Sequence, residues 1–238
     1  MDRRHTWIAL ACAALMSACG GGDGDSGTSP FIPPTDDFAT LTGWQNLLGI
    51  GGTWTVVGTG SDGAAYEATL QIGPVAAAVF PPTVTSYART SVLSTLKRNS
   101  LSLGTSTVEY FRAADFTVQA VRSTSGGVEE CAQATASVLP PAVAKVTIPP
   151  TSGALMSLDN LNVCTPGALV DGKTTATWSL EFERGVVLLC LNSESRDLTN
   201  QVLGRENDCV EIATNGALGT RARVTIVVSG LTLVMRNF

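Results

Sequence analysis

"GTWTVVGTGSDGAAYEATLQIG", residues 52–73, sets two runs rich in Thr, Val, Trp and Tyr on either side of a Thr-Gly-Ser-Asp-Gly turn. β-Branched and aromatic side chains fit the pleated surface of a strand, and a glycine-flanked Ser-Asp reverses the chain, so the stretch predicts a β-hairpin. The same texture fills the rest of the chain. TSVLSTLK (90–97), TVEYFRA (107–113), DFTVQAVRS (115–123), AQATASVL (132–139), TTATWSLEFE (174–183), GVVLLCLN (185–192) and DCVEIAT (208–214) all read as strands. ARVTIVV (222–228) and LTLVMRN (231–237) close the chain as a pair around Ser229 and Gly230. Such runs, broken by Gly, Pro, Ser, Asn and Asp, predict an all-β fold: an antiparallel β-sandwich or barrel with about ten short strands, disulfide-stabilised. Only LTGWQNLLG (41–49) and YARTSVLSTLKRN (87–99) could pass for helices, and the threonines of the second weigh against it.

Toward the N-terminus the texture changes. Arg3 and Arg4 precede an apolar segment over residues 7–16, and small residues lead to Cys19. This is the layout of a secretory signal peptide, and the segment is far shorter than the roughly 20 residues of a spanning helix. "MSAC", residues 16–19, resembles the lipobox of bacterial lipoproteins, with Met16 where leucine is commoner. The resemblance covers residues 1–19 and implies cleavage before Cys19, a diacylglycerol (palmitate-type) anchor on its thiol, and, with Gly20 following, transport to the outer membrane. It implies nothing about the domain. The residues after Arg4 do not match a twin-arginine signal. Residues 19–37 are rich in Gly, Asp and Pro and read as a flexible tether, about 18 residues spanning roughly 23 Å. Asp23 and Asp25 lack the later glutamate of a calcium loop.

The domain organisation that follows is a signal peptide at 1–18, a tether at 19–37 and an all-β domain at 38–238, with one candidate internal boundary in the proline-rich segment 139–153. The net charge of −5 becomes −6 once Arg3, Arg4 and Asp2 leave with the signal, so a nucleic-acid partner is not expected. The terminal Phe238 and the alternation of the last strand bring an outer-membrane barrel to mind; the short strand lengths and Arg236 argue against it.

Besides Cys12 and Cys19 the chain holds Cys131, Cys164, Cys190 and Cys209, an even number suited to an oxidising compartment. Cys190 and Cys209 lie in strand-like runs enclosing a polar segment and are expected to pair across a hairpin. Cys131 with Cys164 follows by elimination. The spacing offers no close cysteine pair for zinc, and no metal or other cofactor is expected.

The single histidine, His5, lies in the signal, so imidazole chemistry is not expected of the mature chain. Glu181 and Glu183 share one face of a strand and are the candidates for a carboxylate-dependent hydrolase of envelope or extracellular polysaccharide. Glu67 and Glu109 read as solvated strand positions, and Glu129 with Glu130 beside Cys131 as an acidic turn. The segment between Cys190 and Cys209 gathers Asn192, Glu194, Arg196, Asp197, Asn200, Arg205, Glu206 and Asp208 in what reads as one polar loop, and the first six of these form the candidate binding loop. The function expected is that of a lipid-anchored binding or interaction module in the bacterial cell envelope, not an enzyme, with an envelope protein or glycan as partner. A carrier of a small apolar ligand inside a barrel is the further alternative.

Overall fold

The stretch 52–73 is a hairpin: Gly52 pairs with Ile72 and Thr59 with Ala65 in an antiparallel ladder. The structure, a computed structural model, describes residues 32–238. In chain order its elements are β1 (Asp37–Phe38), α1 (Thr40–Gly49), β2 (Gly52–Gly60), β3 (Ala65–Phe80), β4 (Thr85–Arg98), β5 (Leu101–Arg112), β6 (Val118–Ser125), β7 (Val128–Ser137), β8 (Ala144–Lys145) and β9 (Thr151–Leu161). β10 (Val170–Glu183), β11 (Val186–Asp197), β12 (Val202–Ile212), β13 (Leu218–Val228) and β14 (Leu231–Arg236) follow. β1 and β8 pair only with each other; the other twelve strands close into an antiparallel barrel in the order β10-β11-β12-β13-β14-β2-β3-β4-β5-β6-β7-β9.

The all-β class is as expected, and the choice between sandwich and barrel falls to the barrel. The strands run longer than the sequence suggested, up to the 16 residues of β3. YARTSVLSTLKRN lies mostly in β4, and LTGWQNLLG is helical. β9 escaped the sequence reading because Ala, Leu and Met in GALMSL do not favour strands. It lies next to β7 in the ring, so the proline-rich segment 139–153 joins two neighbouring staves of one barrel.

Tight turns set the ring's pitch. Asn99-Ser100, Gly126-Gly127, Arg184-Gly185 and Ser229-Gly230 each hold positive φ at both positions, the conformation of two-residue turns whose twist matches that of paired strands. At the seam, where β14 meets β2, a Cβ on Gly58 would stand 1.9 Å from the Val234 carbonyl oxygen; only glycine permits that approach.

Side chains alternate between lumen and exterior. Trp54 and Val56 of β2 and Thr174, Ala176 and Trp178 of β10 are buried inward, whereas Thr53, Thr55, Lys173, Thr175 and Thr177 are exposed outward. Apolar inside and threonine-rich outside is the reverse of a lipid-embedded barrel. Strand length, one of the two reasons the sequence offered against such a barrel, does not hold, since many staves are long enough to span. Phe238 packs beside Val186, Leu188, Cys190 and Cys209 on the outer wall.

α1 closes one end of the barrel. Its buried face, Thr40, Gly43, Trp44 and Leu48, follows the helical period. The Trp44 indole donates to the Phe116 carbonyl at 3.3 Å, Asn46 donates to Gly216 O at 2.9 Å, and Thr90 donates from the barrel wall to Leu48 O at 2.5 Å. The proline-rich segment contributes as well: Thr40 Oγ1 donates to Pro141 O at 2.7 Å.

Both disulfides form as the sequence suggested. Cys190 and Cys209 stand opposite each other in the β11–β12 ladder, and Cys131 of β7 is bonded to Cys164 in the loop after β9. Replacing Cys190 and Cys209 together with serine is expected to lower stability by about 3 kcal/mol, the loop-closure value for a loop of this size, read as a shift in guanidinium unfolding midpoint. A midpoint equal to the parent's would show that the bond adds nothing to the hairpin ladder.

Candidate functional site

The polar segment between the two cysteines is paired strand, contrary to the loop expected. β11 runs on to Asp197 and β12 begins at Val202, leaving residues 198–201 as the turn. Polar side chains fall on both faces of these strands, so no alternation of apolar and polar residues marked them in the sequence. Asp197 organises that turn, accepting from Thr199 N at 2.9 Å, Thr199 Oγ1 at 2.7 Å and Gln201 N at 2.9 Å. Asn200 sits in the turn, and its carbonyl accepts from Arg196 at 2.8 Å.

On the outer wall Glu194 is gripped by Arg196 and Arg205, each at 2.6 Å. Burial pushes its carboxyl up, but hydrogen bonds from Arg205 and Arg196 outweigh that and hold it below the ordinary range. Asn192 donates to Ser179 Oγ at 3.0 Å and accepts from Asn207. Asn192, Glu194 and Arg205 share an outward depression of about 440 Å³ with Thr175, Thr177 and Thr225. The sequence-named residues therefore do assemble, but they are spent largely on one another.

Glu181 and Glu183 also share the outer face, as expected. Arg223 takes Glu181 and Glu183 at 2.6 Å each, and Arg236 takes the other oxygen of Glu183 at 2.7 Å. The other oxygen of Glu181 accepts from Ser179 Oγ at 2.9 Å, so neither carboxylate stands free to exchange a proton with a substrate. Glu181 also approaches Cys190 and Cys209, but those sulfurs are bonded to each other and offer no thiolate to a metal. Glu67 pairs with Lys97, Glu109 with Arg89 and Arg122, and Glu129 lies 3.9 Å from Arg122. Ser123 donates to Glu130 at 3.5 Å.

Glu206 and Asp208 face the other way. Cys209 lies on the outer wall, so by strand alternation Asp208 and Glu206 point into the lumen. There they line a cavity of about 110 Å³ whose remaining walls include Trp44, Leu47, Trp54, Ile72, Val92 and Met235. A smaller lobe of about 30 Å³ adjoins it, walled by Val121, Met156, Leu158 and Ala176 and sharing Val108, Tyr110, Leu191 and both carboxyls. Tyr110, on β5, stands six staves from β12 in the ring of twelve, so the tyrosine meets the carboxyls from the opposite wall. Ser94 and Ser106 extend the polar strip, their hydroxyls 2.6 Å apart.

Glu206 and Asp208 keep some exposed surface, yet both are surrounded on most sides by the barrel, and the electrostatics follow that enclosure. Burial pushes Asp208 up to about 7, and burial plus the Asp208 charge pushes Glu206 well above its ordinary range. Burial and the same two charges push Tyr110 upward. Among the described residues no Lys or Arg pairs with either carboxyl, and Asp208 Oδ1 is buried without a hydrogen-bond partner. The sequence carried one signal of this arrangement: counting parity back from Cys209 sends both acids inward. Tyr110, Trp44 and Trp54 read only as strand or helix core and had no signal of their own.

No protein family, no curated protein and no solved structure matches the chain.

A carboxyl raised on folding binds its proton more tightly in the folded state, so stability is fullest below the unfolded value near about pH 4 and falls as pH rises through the folded value. The only histidine is His5 and the described cysteines are disulfide-bonded, so between about pH 5.5 and 8.5 the lumen pair dominates the titration of the barrel's side chains. Melting temperature is expected to drop by several degrees across that window, and Asp208→Asn should flatten the slope. An equally steep slope in the variant would place the titrating group elsewhere.

Proposed function

We propose that this is a binding protein that admits one small, mostly apolar molecule to its barrel. The capped cavity of about 110 Å³ carries the reading, being of the order of an apolar protein cavity of about 150 Å³ that binds benzene. Trp, Leu, Ile, Val and Met walls supply affinity through buried apolar area, and a few polar groups fix orientation, the ordinary composition of a small-molecule site. A polysaccharide hydrolase is less well supported: Glu181 and Glu183 are tied to Arg223, and the space before Glu206 and Asp208 is too small for linked sugar rings. An interaction with an envelope protein or glycan would fall to the outward depression around Asn192 and Arg205.

Location forms part of the proposal. Residues 1–31 lie outside the described residues, and the reading there rests on the sequence: acylated Cys19 holds the barrel to the bacterial envelope by a Gly/Asp/Pro tether. Two acyl chains anchor a protein stably where one does so only marginally.

Binding is tested by titrating the full chain with benzyl alcohol and following the emission of Trp44 and Trp54, which line the cavity. Saturable quenching in the parent is expected to vanish in Val108→Phe, which fills the space both lobes share; quenching that persists unchanged would place the ligand outside the barrel. Anchoring is tested with Cys19→Ser, which should move the protein from the membrane to the soluble fraction. A variant that stays with the membrane would remove the lipid from the account.

A further inference from the structure

We infer that the molecule this barrel takes is an organic monocation, a protonated amine on a small apolar body, with Glu206 and Asp208 receiving the ammonium group. The inference rests on the carrier reading above and narrows it to one chemical class.

Three observations converge. Two carboxyls project from alternate positions of β12 into a lumen walled mostly by aliphatic and aromatic side chains, with a few hydroxyls such as Ser94, Ser106 and Ser123 among them. Among the described residues neither has a cationic partner, and Asp208 Oδ1 is buried with no donor facing it. The outer wall shows what this chain does with its other acids: Glu109, Glu181, Glu183 and Glu194 are each met by at least one arginine. An uncompensated buried carboxylate is among the costliest groups a fold can keep, and removing its partner from a buried pair is strongly destabilising. The missing counter-charge is therefore what the cavity is shaped to receive.

The lining decides which cation fits. Calcium takes about 6–8 oxygen ligands and magnesium keeps several waters; here the oxygens are scattered among Leu, Ile, Val, Met and Trp, and so apolar a lining suits an organic cation better than a hydrated metal ion. An ammonium with three N–H donors suits two carboxyls and the hydroxyls of Ser94, Ser106 and Tyr110. Trp44, Trp54 and Tyr110 present aromatic rings to the same space, and ring faces attract organic cations. Charge balance agrees. Burial raises both carboxyls, and two neighbouring buried acids share a proton more readily than they ionise together, so near neutral pH one positive charge suits the pair better than two. Tyr110, the other titratable side chain lining the cavity, stays neutral in that range.

The test is calorimetric titration of the full chain with three molecules of nearly one shape: benzylamine, benzyl alcohol and benzoate. The parent is expected to bind benzylamine roughly tenfold or more tighter than benzyl alcohol, the scale of a charge-assisted hydrogen bond, with benzoate weakest. E206Q/D208N should abolish that preference while leaving benzyl alcohol within about threefold of the parent, since the apolar walls are unchanged. If the double variant does not fold, the parent at about pH 5 gives the same contrast: the ammonium stays charged, the pair gains its second proton, and the preference for the amine should collapse. Equal affinity for amine and alcohol at neutral pH overturns the cation inference and leaves the apolar cavity standing. Binding of neither overturns both.

Discussion

The disulfide between Cys190 and Cys209 lies on the outside of the barrel wall, and that parity governs what lies within. Side chains alternate along an unbroken stretch of strand, and the β11–β12 ladder is regular from Glu206 to Cys209, so a bond that fixes position 209 outward fixes 208 and 206 inward. A slip of one residue in the β11–β12 register would turn both acids to water and bring Arg205 and Asn207 into the lumen. The covalent link removes that alternative. Stability and site are thus joined at one place: the crosslink that holds the hairpin together also aims its two carboxyls.

The two faces of the wall treat charge in opposite ways. Outside, arginines and glutamates meet in pairs, most of them partly exposed and worth little, with Arg223 the most enclosed of the paired arginines: burial lowers its basicity, while Glu181 and Glu183 more than restore it. Inside, two acids sit beside tryptophan and leucine with no such compensation. The fold tolerates them because the remainder of the lumen is well packed, from Trp54, Val56 and Tyr66 near the seam to Trp178 and Leu180 opposite. Local cost set within a consistent fold is the usual mark of a functional position.

The sequence made the strands legible wherever Thr, Val, Trp and Tyr alternated with smaller residues, as at 52–73 and 174–183. It concealed them where composition and period disagreed. GALMSL in β9 reads as helix-neutral and apolar, and strand-forming pairing with β7 and β10 overrides it. The run from Asn192 to Asp208 reads as loop because its polar residues fall on both faces, outward at Asn192 and Glu194 and inward at Ser193, Glu206 and Asp208. The cavity could not be read at all, because Tyr110 and Glu206 are about a hundred residues apart and meet only after twelve staves close.

That closure occurs at the narrowest join in the ring, where β14 meets β2 over the pairs Leu233–Gly60, Val234–Thr59, Met235–Gly58 and Arg236–Val57. The join unites one of the earliest strands of the chain with the last. Until residues 231–236 have been synthesised, the growing polypeptide has two raw sheet edges and no enclosed interior, and non-local pairing of this kind forms slowly. The barrel is therefore a late product of its own translation. The eleven earlier staves cannot complete the native ring by themselves, so the enclosed interior exists only once β14 has left the ribosome and found β2.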